Sequence, residues 1–193
     1  MGTLPADNSN HHRRLRRRCF LKVGVFTFAA AFTPLSVCAG AADLLADKKR
    51  RLRLYNLHTE ERLQICYWKN GAYDRQALKA IDHILRDHRS GEIHSIDPRL
   101  LDLLHAISVK TGSCRFHVIS GYRSPATNSM LRKDDLQVAS QSMHTLGKAV
   151  DIQMPDFDSR QLYREAVDLK SGGAGYYPDR NFVHVDVGPV RCW

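Results

Sequence analysis

Three residues of this chain have the right types to share one metal ion: His144, Asp151 seven residues later, and His184 near the C-terminus. Two neutral imidazoles and one carboxylate leave a fourth tetrahedral position for water, which is a common donor set for a catalytic zinc. The residue types therefore point to metal-dependent hydrolysis. A non-haem iron oxygenase uses the same donors, but its common spacing is His-x-Asp, whereas six residues separate His144 from Asp151 here. A lone histidine in a strand demands little. A carboxylate between Val150 and Ile152 demands a partner, because an unpaired charge among apolar side chains is costly.

The elements around these residues must bring them together. Side chains alternate between the faces of a strand. In a strand over 148–154, Ala149, Asp151 and Gln153 share one face and Val150 and Ile152 the other. In a last strand over 181–187, Phe182, His184 and Asp186 share a face, with Val183, Val185 and Val187 turned to the core. Asp151 and His184 then meet on one sheet face, and Gly147 lets the loop carrying His144 turn back to them. Upstream, the alternation in 51–57 and 61–68 predicts a hairpin, with Asn70-Gly71 as a turn. Asp74 caps a helix over 75–88, and Asp97-Pro98 opens one that ends near Gly112. A strand over 116–120, a helix over 126–133, a helix over 160–169 capped by Asp158 or Ser159, and a flexible turn at Gly172, Gly173 and Gly175 complete the prediction. Helices and strands mix without a regular βαβ rhythm, so the class is α+β, with a small, largely antiparallel sheet flanked by helices.

The first 41 residues read as a signal peptide. Basic residues from Arg13 to Lys22 precede an apolar run from Val23 to Val37 and a small-residue stretch that allows cleavage after Ala39 or Ala41. Arg17-Arg18-Cys19-Phe20-Leu21-Lys22 resembles the twin-arginine signal R-R-x-F-L-K, which predicts the twin-arginine translocase as an export partner and the periplasm as the location. Leu35-Ser36-Val37-Cys38 is a poor lipoprotein signal, because Val37 stands where a small residue is preferred. Residues 42–51 form a polar lead-in and 52–193 the functional domain. The chain has 29 basic and 20 acidic residues, a net +9. Residues 1–41 hold six of the basic and one of the acidic residues, so the remaining 23 and 19 leave +4. That excess does not predict nucleic-acid binding. Cys66, Cys114 and Cys192 remain after export, an odd number that allows one disulfide at most. Cargo that folds before export should need none. The domain is expected to be a monomer.

Ser142-x-His144-x-x-Gly147-x-Ala149-x-Asp151 resembles the S-x-H-x-x-G-x-A-x-D signature of the zinc D-Ala-D-Ala peptidase family, whose fold is shared with the hedgehog signalling domain. Ser120-Gly121-Tyr122-Arg123-Ser124-Pro125-x-Thr127-Asn128 resembles a second block of that family, and Gly175-Tyr176-Tyr177-Pro178 with Phe182-Val183-His184-Val185-Asp186-x-Gly188-Pro189-Val190-Arg191 a third. The likeness covers about 52–193 and is nearest to the murein endopeptidase K branch, which Leu57-His58-Thr59 and Leu85-Arg86-Asp87-His88-Arg89 also resemble.

By this resemblance His144, Asp151 and His184 bind Zn2+, Arg123 binds a substrate carboxylate or the developing oxyanion, and Tyr122 and Asn128 help to shape the cleft. The implied substrate is the stem peptide of peptidoglycan, cut at an amide beside a D-amino acid or meso-diaminopimelate. Endopeptidase action is favoured over carboxypeptidase action or a non-catalytic wall-binding module. Many members of the family carry an acidic base three residues before the last histidine, where this chain has Asn181. Asp186 is the first candidate for the missing base and Asp179 the second. Asp186 is equally suited to orienting a ligand histidine. His88 and His117 are further acid–base candidates, while His58, His83, His94 and His105 read as surface or packing residues.

Overall fold

The computed structural model describes residues 49–134 and 138–193. The expected signal peptide and cleavage site lie outside the described residues, as does most of the expected polar lead-in. Its last three residues, 49–51, are already strand.

Eight strands form one open sheet: β1 (Lys49–Asn56), β2 (Arg62–Lys69), β3 (Ala72–Tyr73), β4 (Arg115–Ser120), β5 (Ala149–Gln153), β6 (Gly173–Tyr177), β7 (Phe182–Asp186) and β8 (Arg191–Cys192). Their order is β3-β2-β1-β4-β5-β7-β6-β8. The pairs β1–β4 and β6–β8 are parallel and the others antiparallel. Four α-helices accompany them among the described residues: α1 (Arg75–Ile84), α2 (Pro98–Thr111), α3 (Pro125–Asp134) and α4 (Ser159–Asp168). The class is α+β and the sheet mostly antiparallel, as predicted.

The apolar alternation decides which face is covered. Leu52, Leu54, Phe116, Val118, Val150, Ile152, Val183 and Val185 pack with Ile81 of α1, Leu100, Leu101, Leu104 and Ile107 of α2, and Leu162 of α4 in one core. Each such side chain contributes about 1.5–3 kcal/mol by leaving water. The opposite face of β5 and β7, with Asp151, His184 and Asp186, is left for the site.

Caps fix the helix starts. Asp74 accepts from Gln76 N and Ala77 N, Asp97 from Arg99 N, and Asp158 from Gln161 N. Asn70 and Gly71 both take positive φ and turn β2 into β3. Two expectations need correction. Helix α1 stops at Ile84 rather than 88, because neighbours capture its last carbonyls: Asn56 Nδ2 donates to Ile84 O at 2.9 Å and Tyr122 N to Leu85 O at 2.7 Å. Of the glycines at 172–175, only Gly172 lies in a bend. Gly173 to Gly175 begin strand β6, and glycine is needed because a Cβ on Gly173 would strike Asp186 and one on Gly175 the Trp193 ring.

Candidate metal centre

Register places the candidate ligands. Asp151 of β5 lies directly opposite His184 of β7. His144 sits in a short 3₁₀ turn, Met143–Leu146, opened by Ser142 and closed by Gly147 at φ 64°. All three side chains are buried. His144 Nε2 is 3.2 Å from Asp151 Oδ1 and 3.2 Å from His184 Nδ1, and His184 Nδ1 is 2.9 Å from Asp151 Oδ1. A tetrahedral metal with bonds of about 2.0–2.1 Å separates its ligands by about 3.3 Å.

The far side of each imidazole settles which atoms face inward. His144 Nδ1 lies 2.6 Å from Gly121 O, a carbonyl that can only accept, so Nδ1 carries the proton and Nε2 presents a lone pair. His184 Nε2 lies 3.0 Å from the Asp186 carboxylate and donates to it, which turns the Nδ1 lone pair inward. Three acceptor atoms thus converge, and such a group calls for a cation. Among the described residues it is the one cluster of three or more His, Cys, Asp or Glu side chains with metal-binding spacing.

The charges agree with this. Burial pushes His144 down from its ordinary value. Burial works against ionisation of Asp151 too, but His144 and His184 outweigh it and hold the carboxyl well below the usual range. Burial opposes a charge on His184 as well, yet Asp151 and Asp186 prevail and raise it. The cluster therefore draws a positive charge, and a metal would replace a proton there.

Arg123 flanks the cluster. Its Nη2 donates to Asp151 Oδ2, its Nε donates to Ser120 Oγ at 2.8 Å, and Arg123 N donates to His144 O at 3.2 Å. It lines a cavity of about 270 Å³ that also takes in the triad, Tyr177, Arg191 and Trp193.

The other candidate residues take the following places. Asp186 is fully buried behind His184 and accepts from His184 Nε2, Gly173 N, Gly188 N and both Nη atoms of Arg191. Burial alone would raise its pKa, but these donors lower it. Its acceptor sites are filled, it does not line the cavity, and it accepts from the His184 nitrogen that faces away from the cluster. Asp179 is exposed on the short turn Pro178–Arg180 and does not line the cavity. Asn181 takes φ 51°, a left-handed conformation that asparagine tolerates, and its side chain accepts from Ser159 Oγ at 2.7 Å. Its position serves the turn. Tyr122 and Asn128 are buried behind the cavity wall: Tyr122 donates to Glu92 and stacks on His94, and Asn128 Nδ2 donates to Ala139 O at 3.1 Å. Ala139, the partner of Asn128, lines the cavity.

Residue types missed Tyr177, Arg191 and Trp193 as parts of the site. Trp193 Nε1 donates to Tyr177 Oη at 3.0 Å, and the indole lies against His184 with centroids 5.3 Å apart. The signal was available in Gly175, the small residue opposite His184 whose missing side chain makes room for that indole. His117 packs against Tyr55 in a separate cavity, away from the triad. Cys66, Cys114 and Cys192 are all free thiols. No helix among the described residues is long and apolar enough to cross a membrane.

Comparison with known families adds the decisive observation. The family described as peptidoglycan L,D-endopeptidase MepK matches residues 44–193. The chain belongs to that family. It is 37% identical over 178 residues to the peptidoglycan L,D-endopeptidase MepK of Escherichia coli strain K12, covering 92% of this chain and 96% of that protein. The Shigella flexneri protein of the same description gives the same values. No solved structure matches at a significant level. The family match spans β1 to β8, so the three candidate ligands, Arg123 and the Asp186–Arg191 pair all lie inside it.

Proposed function

We infer that this protein is a zinc-dependent endopeptidase of peptidoglycan that hydrolyses the amide between an L-centre and a D-centre in cross-linked stem peptides. The observation that carries this is the convergence of His144 Nε2, Asp151 Oδ1 and His184 Nδ1 beside Arg123, in a chain of the MepK family.

Zinc bound there supplies Lewis-acid polarisation of the scissile carbonyl and makes water acidic enough to attack. The protein's own residues do the rest. Gly121 O and Asp186 hold the two imidazoles in the tautomers that ligation needs. Arg123, held by Ser120 and Asp151, offers its remaining N–H groups to the substrate carboxylate or to charge developing on the carbonyl oxygen. Tyr177 accepts the Trp193 indole N–H and keeps its own hydroxyl proton for an acceptor in the cavity.

The proposal includes export by the twin-arginine translocase to the periplasm, where the substrate is, and action as a monomer. The basic and apolar pattern of residues 13–37 supports the export. A second reading, a wall-binding module without turnover, draws on one observation: among the described lining residues of the cavity, Asp151 is the only carboxylate. Digestion of defined cross-linked muropeptide dimers, followed by mass spectrometry, tests both. Cleavage of an L,D-linked dimer that stops with chelator supports the enzyme. Binding without cleavage in the presence of zinc supports the module.

A further inference from the structure

A second cavity, of about 460 Å³, lies beside the first. The two share Arg123, Val138, Asp151, Arg180 and Phe182, so they are adjoining parts of one cleft that meet at the Arg123–Asp151 pair. His58, His88 and Arg89 line the second part and not the first.

Two turns are built to put these side chains there. After β1, Asn56 Oδ1 accepts from His58 N at 2.9 Å and Thr59 N at 3.2 Å. After α1, the buried Asp87 accepts from Arg89 N at 2.9 Å and Ser124 N at 2.9 Å, tying this turn to the loop that carries Arg123. The imidazoles of His58 and His88 then stack face to face, with centroids 3.9 Å apart and planes 9° from parallel. Both turns belong to the segments around His58 and His88 that resemble the family but that metal binding leaves unexplained.

The charges around this space are one-sided. Arg89, Arg123 and Arg180 line it. The one carboxylate among its described lining residues is Asp151, whose oxygens already face Arg123 and the two ligand imidazoles. Burial, followed by the neighbouring His58 and Arg89, holds His88 down at about 4, and Arg123 adds to the effect. Arg89 and the two imidazoles bring N–H donors to this space, beside the Arg123–Asp151 pair.

We propose that this second cavity is a carboxylate subsite, in which His58, His88 and Arg89 hold a free carboxylate of the stem peptide while the scissile amide lies at the metal cluster. The inference rests on the functional reading above and deepens it. Stem peptides carry free carboxylates on the γ-linked D-glutamate and on diaminopimelate, and either supplies the same chemistry. A carboxylate accepts from imidazole and guanidinium N–H groups. A carboxamide of the same shape brings no charge and turns N–H donors toward other donors.

The test compares three L,D-linked muropeptide dimers: one with all carboxylates free, one with the D-glutamate α-carboxylate amidated, and one with the diaminopimelate carboxylate amidated. Each is given to the wild-type protein, to a His58→Gln/His88→Gln double variant and to Arg89→Gln, whose exposed side chain can change without disturbing the core. The wild type should cut the free-acid dimer with a KM about 10–100-fold lower than one of the amidated dimers, and the arm that loses affinity identifies the source. The variants should lose most of that preference while keeping their metal. A preference of the same size in the wild type and all variants would place carboxylate recognition on Arg123 alone and overturn the subsite, as would no preference in the wild type. If the wild type cuts no dimer, the functional reading fails, and binding decides the subsite by itself. The His88 ring signal is followed by NMR during titration with the acidic tripeptide L-Ala-γ-D-Glu-diaminopimelate. A shift in the wild type that is lost in Arg89→Gln supports the subsite, and no shift overturns it.

Discussion

Val183 and Val185 sit on one face of β7, and His184 and Asp186 on the other. All four are buried, and Asp186 is as inaccessible, at 0% exposure, as the two valines. The valines gain by packing against helices, and the gain is spread over many weak contacts. The polar face has no such reserve. Its burial is tolerable only because Asp186 is paired with Arg191 and His184, and Asp151 with Arg123 and two imidazoles. The difference predicts that the apolar face yields gradually to substitution, while the polar face fails as a unit.

Asp151→Asn is the hardest blow to the polar face. It removes the anion among two imidazoles and one guanidinium, and should reduce both bound metal and turnover to background, read by metal analysis and dimer cleavage. Asp186→Asn should cost less. It loosens the orientation of His184 and should weaken metal binding about 10–100-fold in a competition titration with chelator. At saturating zinc, turnover should largely return. Metal retained with turnover still lost would instead make Asp186 the base. On the apolar face, Ile152→Val should cost about 1 kcal/mol in denaturant unfolding and leave metal affinity unchanged, although Ile152 is next to Asp151 in sequence.

The smallest effect concerns His88. Its folded-state pKa of about 4 lies below the ordinary 6.5, so acidification protonates the unfolded chain first. The stability that His88 contributes is complete above about pH 6.5 and is lost progressively as the pH falls toward 4, with no further loss below. His88→Gln should flatten that part of the stability profile, measured as the change in denaturation midpoint between pH 7 and 4.5 relative to wild type.

The two faces were also unequally legible in the sequence. Alternation around Asp151 and His184 predicted their shared face, and the structure pairs them residue against residue. Caps at Asp74 and Asp97 were equally plain, and Asp158 was one of two candidates, because each uses its own side chain on backbone a few residues away. What local pattern could not show was set by distant chain. The early end of α1 depends on Asn56 and Tyr122, and the glycines of β6 are strand because Asp186 and Trp193 occupy the space beside them. The surroundings of Asp186 were hidden for the same reason. Its partner Arg191 is five residues away, across a turn that alternation does not describe.

The most direct measurement is the metal content of the purified protein, followed together with its turnover of an L,D-linked muropeptide dimer. Metal is removed by chelation and zinc is then returned in steps. The account predicts that activity disappears with the metal and recovers in proportion to zinc, levelling at one ion per chain. Full turnover by the metal-free protein would contradict it.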